Sequence, residues 1–248
     1  MPLPPPPALA LDEVALFLDL DGTLAPIAPT PEQVSGDDEL WAILDALHQQ
    51  SGGRLAVLSG RTIADIDRIT AGHARAVAGV HGLERRGPGG DLARPDPPEG
   101  LYAARGVMEA FAARRPGVLV EDKGLGIALH YRQAPEHAED AEQMAQALAQ
   151  HHDLRVQPGS MVRELRAPGG GKGQALKAFM EEPPFAGATP VFLGDDLTDE
   201  DGFAAVRAMG GHGVIVGPRE PTRARFRLRD VAAARAWLAR LAGLEAAA

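Results

Sequence analysis

Short, unbroken apolar runs alternate along this chain with stretches whose apolar residues recur every three or four positions. VALFLD (14–19) is an apolar run closed by an aspartate, the pattern of a strand buried on both faces of a parallel sheet. DELWAILDALHQQ (38–50) has helical spacing, with acidic residues in its first turn. RLAVLS (54–59) reads as a second buried strand, followed by a helix from about Thr62 to Thr70, and AVAGV (76–80) as a weaker third strand. TPVFLGD (189–195) and GVIVG (213–217) repeat the strand pattern around a helix from about Glu200 to Met209, and DVAAARAWLARLAGL supplies a last helix. This alternation predicts an α/β fold with a doubly wound, mainly parallel sheet, whose ligands gather at the carboxyl ends of the strands.

The middle of the chain has another texture. Between the Gly- and Pro-rich stretches RRGPGGDLARPDPPEG (85–100) and RAPGGGKG (166–173) lie a helix, a hairpin made by GVLVEDKG and LGIALHYR, a helix over roughly Glu136 to His151, and a further strand in MVRELRA. Helices and antiparallel strands between turn-rich joints predict an inserted α+β domain at 97–168, within a core formed by 11–96 and 169–248. The competing reading is one continuous domain with an irregular middle. Residues 1–10, with their proline run and no basic segment, read as a disordered leader rather than a signal peptide.

Composition narrows the function. With 45% apolar residues, 248 residues suffice for one large domain or a core carrying a smaller one. The 34 acidic against 25 basic residues give a formal charge of −9, which disfavours nucleic acid and anionic membranes as partners. Arg223, Arg225, Arg227 and Arg229, at every second position, read as a solvated segment. Without cysteine there are no disulfides, thiolate metal sites or cysteine nucleophiles. No apolar stretch approaches spanning length, so a soluble cytoplasmic protein is the expectation, and a monomer is expected separately.

The chemistry concentrates at strand ends. FLDLDGTLAPI (17–27) places Asp19 and Asp21 two residues apart after a buried run, so both lean to one side and need a cation between them. Gly22 and Thr23 permit a sharp turn whose N–H groups suit an anion. Ser59 ends the second strand, and Asp195 and Asp196 end a later one, so parallel pairing gathers all of them on one edge. Asp19, the Asp21 carbonyl and Asp195 are hard oxygen ligands of the kind Mg²⁺ prefers, and Lys172 brings a compact positive charge. Each residue alone is ordinarily a turn, cap or solvated side chain. The pattern D-x-D-G-T, by uniform counting, arises by chance in on the order of one such chain in several hundred.

The ordered set DLDGT, Ser59, Lys172 and GDDLTDE (194–200) resembles the four motifs of the haloacid dehalogenase (HAD) superfamily. Within it, SGR (59–61), GVHGLE (79–84), EDKGLGIALHYR (121–132), RELRAPGGGKGQAL (163–176) and GDDLTDEDGF (194–203) are similar to the trehalose-6-phosphate phosphatases. The resemblance implies a Rossmann-like core, an inserted cap of the C2B type, and Mg²⁺ as cofactor. It implies Asp19 as nucleophile forming an aspartyl phosphate, Asp21 as general acid and base, and Lys172 as a neutralising charge. Ser59, Gly60 and the amides near Gly22 and Thr23 would hold phosphate oxygens, and Asp196 and Asp199 would orient ligands or Lys172. Arg61 either helps hold the phosphate or caps local carbonyls. Glu121, Lys123 and Glu164 match the family's acid–base–acid grip on the distal glucose, and Glu121 and Lys123, two apart on a strand, share a face.

His81 and Arg132 have no assigned role, and Gly126 stands where the family more often has serine. The substrate is expected from a separate synthase chain. The alternatives are a phosphatase for sucrose 6-phosphate or mannosyl-3-phosphoglycerate and, in another class, a non-catalytic sugar-phosphate sensor. GGGKGQ is no nucleotide loop, since Arg166 and Gly173 stand where that motif needs Gly and Ser or Thr.

Overall fold

The structure, a computed structural model, describes residues 3–244. In chain order the strands are β1 (Val14–Leu18), β2 (Leu55–Leu58), β3 (Ala76–Gly79), β4 (Glu84–Arg86), β5 (Leu92–Ala93), β6 (Leu119–Asp122), β7 (Gly126–His130), β8 (Arg155–Gly159), β9 (Val162–Arg166), β10 (Thr189–Gly194), β11 (His212–Val216) and β12 (Phe226–Leu228). The helices are α1 (Asp38–Gln50), α2 (Ile63–Thr70), α3 (Glu99–Ala112), α4 (Ala138–His152), α5 (Lys172–Met180), α6 (Glu200–Ala208) and α7 (Val231–Leu241). Contacts divide the chain into two compact units, 94–170 and the two flanking segments together.

The flanking segments build an eight-stranded sheet ordered β12-β11-β10-β1-β2-β3-β4-β5. It is parallel from β12 to β3 and antiparallel at β4 and β5. Alternation sorts β1 onto two faces. Val14, Leu16 and Leu18 join a core with Leu40, Ile43, Leu44 and Leu47 of α1, Ile66 and Ile69 of α2 and Leu238 of α7. Ala15 and Phe17 join the opposite core with Phe179 of α5 and Phe203 of α6. Burial of both faces explains why β1 reads as a continuous apolar run. Helix starts follow local chemistry: Asp37 accepts from the Leu40 N–H to open α1, and Thr62 accepts from the Asp65 N–H to open α2 directly behind Ser59-Gly60-Arg61. The strand order reverses between β1 and β10, which puts the switch point of the sheet at their carboxyl ends.

Three details depart from the sequence expectations. The joint at 85–100 contains the β4–β5 hairpin. The arginine alternation includes β12, which pairs with β11; Arg227 is largely buried and donates to Gly217 and Arg219 carbonyls, so this segment is not simply solvated. Residues 3–10 have no helix or strand but are laid against the core: the Arg227 N–H donates to the Pro4 carbonyl at 2.9 Å, and Leu3 and Leu9 pack on the two apolar clusters. Met1 and Pro2 of the expected leader lie outside the described residues.

The 94–170 unit holds an antiparallel sheet ordered β6-β7-β9-β8. One face, with Ile127, Leu129 and Leu165, packs on Leu101, Ala104 and Met108 of α3 and Ala141, Ala145 and Leu148 of α4. Strand β8 has no counterpart in the apolar pattern, because RVQPG carries little apolar signal. Among the described residues no helix is long and apolar enough to cross a membrane.

Candidate active site

β1 and β10 pair with Leu18 opposite Leu193, and the Asp19 N–H donates to the Leu193 carbonyl at 2.9 Å. Asp19 therefore leaves the sheet beside the Gly194–Asp195 step, at the switch point. Lys172, the first residue of α5, reaches this point: its Nζ lies 2.5 Å from Asp19 Oδ1 and 2.6 Å from Asp199 Oδ1. Asp19, Asp195 and Asp199 each offer an oxygen within 4.8 Å of the others. Three carboxylates against one ammonium leave an excess of negative charge in a buried place. Burial, reinforced by Asp199 and Asp21 and opposed by Lys172, pushes the Asp19 carboxyl up to about 7. Burial, with Asp19 and Asp199 beside it, pushes Asp195 up to about 9. For Lys172 burial disfavours the charge, but Asp19 and Asp199 outweigh it and raise its pKa, so it stays an ammonium. The donor set is all oxygen and electron-rich, which fits a hard divalent cation.

The turn after β1 is tightly specified. Gly22 has φ +83°, and a Cβ there would stand 2.1 Å from Asp195 Oδ2, so any other residue would be strained and would push the Asp195 carboxylate aside. The Gly22 and Thr23 N–H groups are turned inward: the Gly22 N–H donates to the Ala25 carbonyl at 2.7 Å, and the Thr23 N–H points to the Leu20 carbonyl at 3.4 Å. Thr23 is fully buried, and its hydroxyl donates to Asp19 Oδ2 at 3.3 Å. Asp199 serves Lys172 through Oδ1, while its Oδ2 accepts from the Asp195 N–H at 2.9 Å and the Asp196 N–H at 3.0 Å. Asp196 caps the turn at Leu197–Asp199 and lies 3.6 Å from Arg219.

Asp21 and Arg61 form a two-pronged pair. Arg61 Nε and Nη2 donate to the two Asp21 oxygens at 2.7 and 2.8 Å, and Nη1 donates to the Pro31 carbonyl at 2.9 Å. Of the two roles open to Arg61, carbonyl capping is present, and the fork on Asp21 was not foreseen: the partner is 40 residues away in sequence and spacing gives no sign of it. Ser59 is buried, and its Oγ accepts from the Arg61 N–H at 3.2 Å. Val80 and His81 both adopt left-handed backbone, with φ 47° and 52°, uncommon for such residues. The His81 N–H donates to the Ser59 carbonyl at 3.0 Å, and its own carbonyl accepts from the Gly171 N–H at 2.6 Å. His81 thus ties the segment before Lys172 to Ser59. A Cβ on Gly60 would stand 2.7 Å from the imidazole, so glycine leaves room for that ring.

In the 94–170 unit, Glu121 pairs in register with Ala128 and Ala128 with Glu164, so both acids share the face turned away from α3 and α4. Lys123 Nζ lies 2.6 Å from Glu164 Oε2, and both side chains are under 10% exposed, unlike a solvated hairpin pair. A Cβ at Gly126 would stand 2.7 Å from Glu164 Oε1, so a side chain there would shift the glutamate's end. Arg132 donates to the Ser160 carbonyl within this unit at 2.9 Å.

A family model described as trehalose-phosphatase matches residues 17–232. The chain belongs to the trehalose-phosphatase family. It is 42% identical over 239 residues to the trehalose-6-phosphate phosphatase of Escherichia coli (strain K12), covering 96% of this chain and 89% of that one. The C-terminal domain of Candida albicans trehalose-6-phosphate phosphatase superposes with a TM-score of 0.84 at 24% identity, covering 98% of this chain and 99% of that one. A phosphatase of the haloalkanoate (HAD) superfamily from Bacteroides thetaiotaomicron gives 0.65 at 18% identity, covering 97% and 98%. At these identities the two structures share the fold, an α/β core with a mostly parallel sheet. In this trehalose-phosphatase family member the Asp19, Asp195 and Asp199 carboxylates form a group that could hold a metal ion.

Proposed function

We propose that this chain hydrolyses trehalose 6-phosphate to trehalose and inorganic phosphate, with Mg²⁺ bound by Asp19, the Asp21 carbonyl and Asp195. One observation supports it most: Asp19 stands at the switch point with Lys172 2.5 Å away and Asp195 on the neighbouring strand, in a chain 42% identical to a trehalose-6-phosphate phosphatase. When bound, the cation supplies positive charge against which a phosphate dianion and a carboxylate can approach.

The chain's own groups then divide the work. An Asp19 oxygen attacks phosphorus, the bond from phosphorus to the sugar O6 breaks, and the leaving oxygen takes a proton from Asp21. Water next attacks the aspartyl phosphate, Asp21 takes its proton, and the Asp19 carboxylate is released. Lys172 balances charge on Asp19 throughout, Asp199 keeps Lys172 aimed, and Thr23 fixes the second Asp19 oxygen. Both Asp21 oxygens accept from Arg61 in the structure, so this fork opens for Asp21 to carry and give up the proton. The 94–170 unit acts as the C2B-type cap, and Glu121, Lys123 and Glu164 recognise sugar hydroxyls, for which fixed charged acceptors and donors are suited. We place the enzyme in the cytoplasm as a monomer, fed by a separate synthase chain.

The test is phosphate release from trehalose 6-phosphate, sucrose 6-phosphate, glucose 6-phosphate and mannosyl-3-phosphoglycerate, each with Mg²⁺ and with EDTA. Mg²⁺-dependent preference for trehalose 6-phosphate is expected. Preference for another member would overturn the substrate, and silence on all four would favour the sensor.

A further inference from the structure

The polar face of the 94–170 sheet carries one more ionisable group that the reading above leaves without a task. In the β6–β7 ladder Leu119 lies opposite His130 and Glu121 opposite Ala128, and in the β7–β9 ladder Ala128 lies opposite Glu164. Residues two apart on a strand share a face, so Glu121, Lys123, Ala128, His130 and Glu164 all project to the same side. Two acid–base pairs flank Ala128 there: Lys123 with Glu164 at 2.6 Å, and His130 Nε2 with Glu121 Oε2 at 2.8 Å. Ala128 between them is small and fully buried. The second pair is only partly covered, with His130 22% and Glu121 19% exposed at their side chains.

A glutamate side chain has several rotatable bonds and an end that swings freely unless it is held. Burial works against the Glu121 charge, but the hydrogen bond from His130 and the nearby Lys123 outweigh it and hold the carboxyl below its ordinary range. With its hydrogen on Nε2 the imidazole donates to the Glu121 carboxylate.

We propose that His130 is a positioning residue for sugar recognition: its Nε2 pins one oxygen of Glu121, so that the other is presented to a sugar hydroxyl. This rests on the reading of Glu121 as a sugar contact. The charged groups that share this face are Lys123, Glu164 and Arg166, with Arg155 at the far edge strand opposite Arg166. The Lys123–Glu164 pair holds those two partners to each other, and His130 is the donor to Glu121.

The experiment uses the full chain with two substrates, trehalose 6-phosphate and p-nitrophenyl phosphate, which has no sugar. His130→Ala should raise KM for trehalose 6-phosphate roughly 10- to 100-fold, the worth of a hydrogen bond to a charged group, and leave kcat and the aryl phosphate kinetics near those of the wild type. His130→Asn, too short to place a donor at the Nε2 position, should behave like the alanine variant. His130→Gln, whose amide nitrogen reaches that position, should recover most of the lost affinity. Adding His130→Ala to Glu121→Ala should cost nothing more, because the tether then has nothing to hold. Additive losses in that double variant, or equal losses on both substrates, would overturn the proposal, as would an unchanged KM in His130→Ala. A Glu121→Ala variant with unaltered KM would instead overturn the sugar-contact reading itself, and the tether with it.

Discussion

Replacing Lys172 by Met keeps most of the side-chain volume and removes the charge. The ammonium is buried at 3% exposure and bridges Asp19 at 2.5 Å and Asp199 at 2.6 Å, so its loss leaves two buried carboxylates without their cation. Breaking a buried pair by deleting one partner costs about 3–5 kcal/mol. At about 2–4 °C per kcal/mol for a chain of this size, the melting temperature should fall by roughly 6–20 °C. The penalty must depend on pH. Asp19 already has a folded-state pKa raised to about 7 with Lys172 present, and loss of Lys172 pushes it further up. A carboxyl whose folded pKa exceeds its unfolded value binds more protons when folded. Its destabilisation is therefore full above the folded pKa and is relieved as pH falls toward the unfolded value. Thermal melts of wild type and Lys172→Met in EDTA at pH 5, 7 and 8.5 should show the gap widening with pH. A gap below about 1 kcal/mol at pH 8.5, or one independent of pH, would refute the reasoning, since it is no larger than an exposed pair provides.

Two further outcomes follow from the same cluster. Mg²⁺ should bind more tightly as pH rises from 6 to 9, because protons compete for Asp19 and Asp195, whose pKa values are about 7 and 9; calorimetric titration showing pH-independent affinity would contradict this. Gly22→Ala, with φ +83° and its new Cβ 2.1 Å from Asp195 Oδ2, should lose about 1–2 kcal/mol in left-handed strain alone and weaken Mg²⁺ binding as Asp195 is displaced; unaltered affinity in the same titration would count against it.

How much of this was legible in the sequence depended on how local each signal was. VALFLD announced a central strand because both of its faces are buried, and the aspartate closing it marked the edge where the chemistry lies. Lys172 was legible from its place at a glycine-rich helix start, since α5 begins at that residue. The β4–β5 hairpin and β12 were hidden because their strands are only two or three residues long, so their strand character comes from neighbours and not from propensity. The fork from Arg61 to Asp21 and the tether from His130 to Glu121 link separate strand ends or paired strands, and only the fold brings those partners together. The anion nest was inferred from a permissive glycine, but the turn consumes those N–H groups itself, which residue type alone does not reveal.

The most direct test of the central claim is a rapid-quench experiment with trehalose 6-phosphate and Mg²⁺, acid-stopped and followed by mass mapping of the phosphorylated peptide. The account predicts a transient, acid-stable and alkali-labile phosphate on Asp19, absent in Asp19→Asn together with turnover. Phosphate on another residue, or normal turnover by Asp19→Asn, would contradict it.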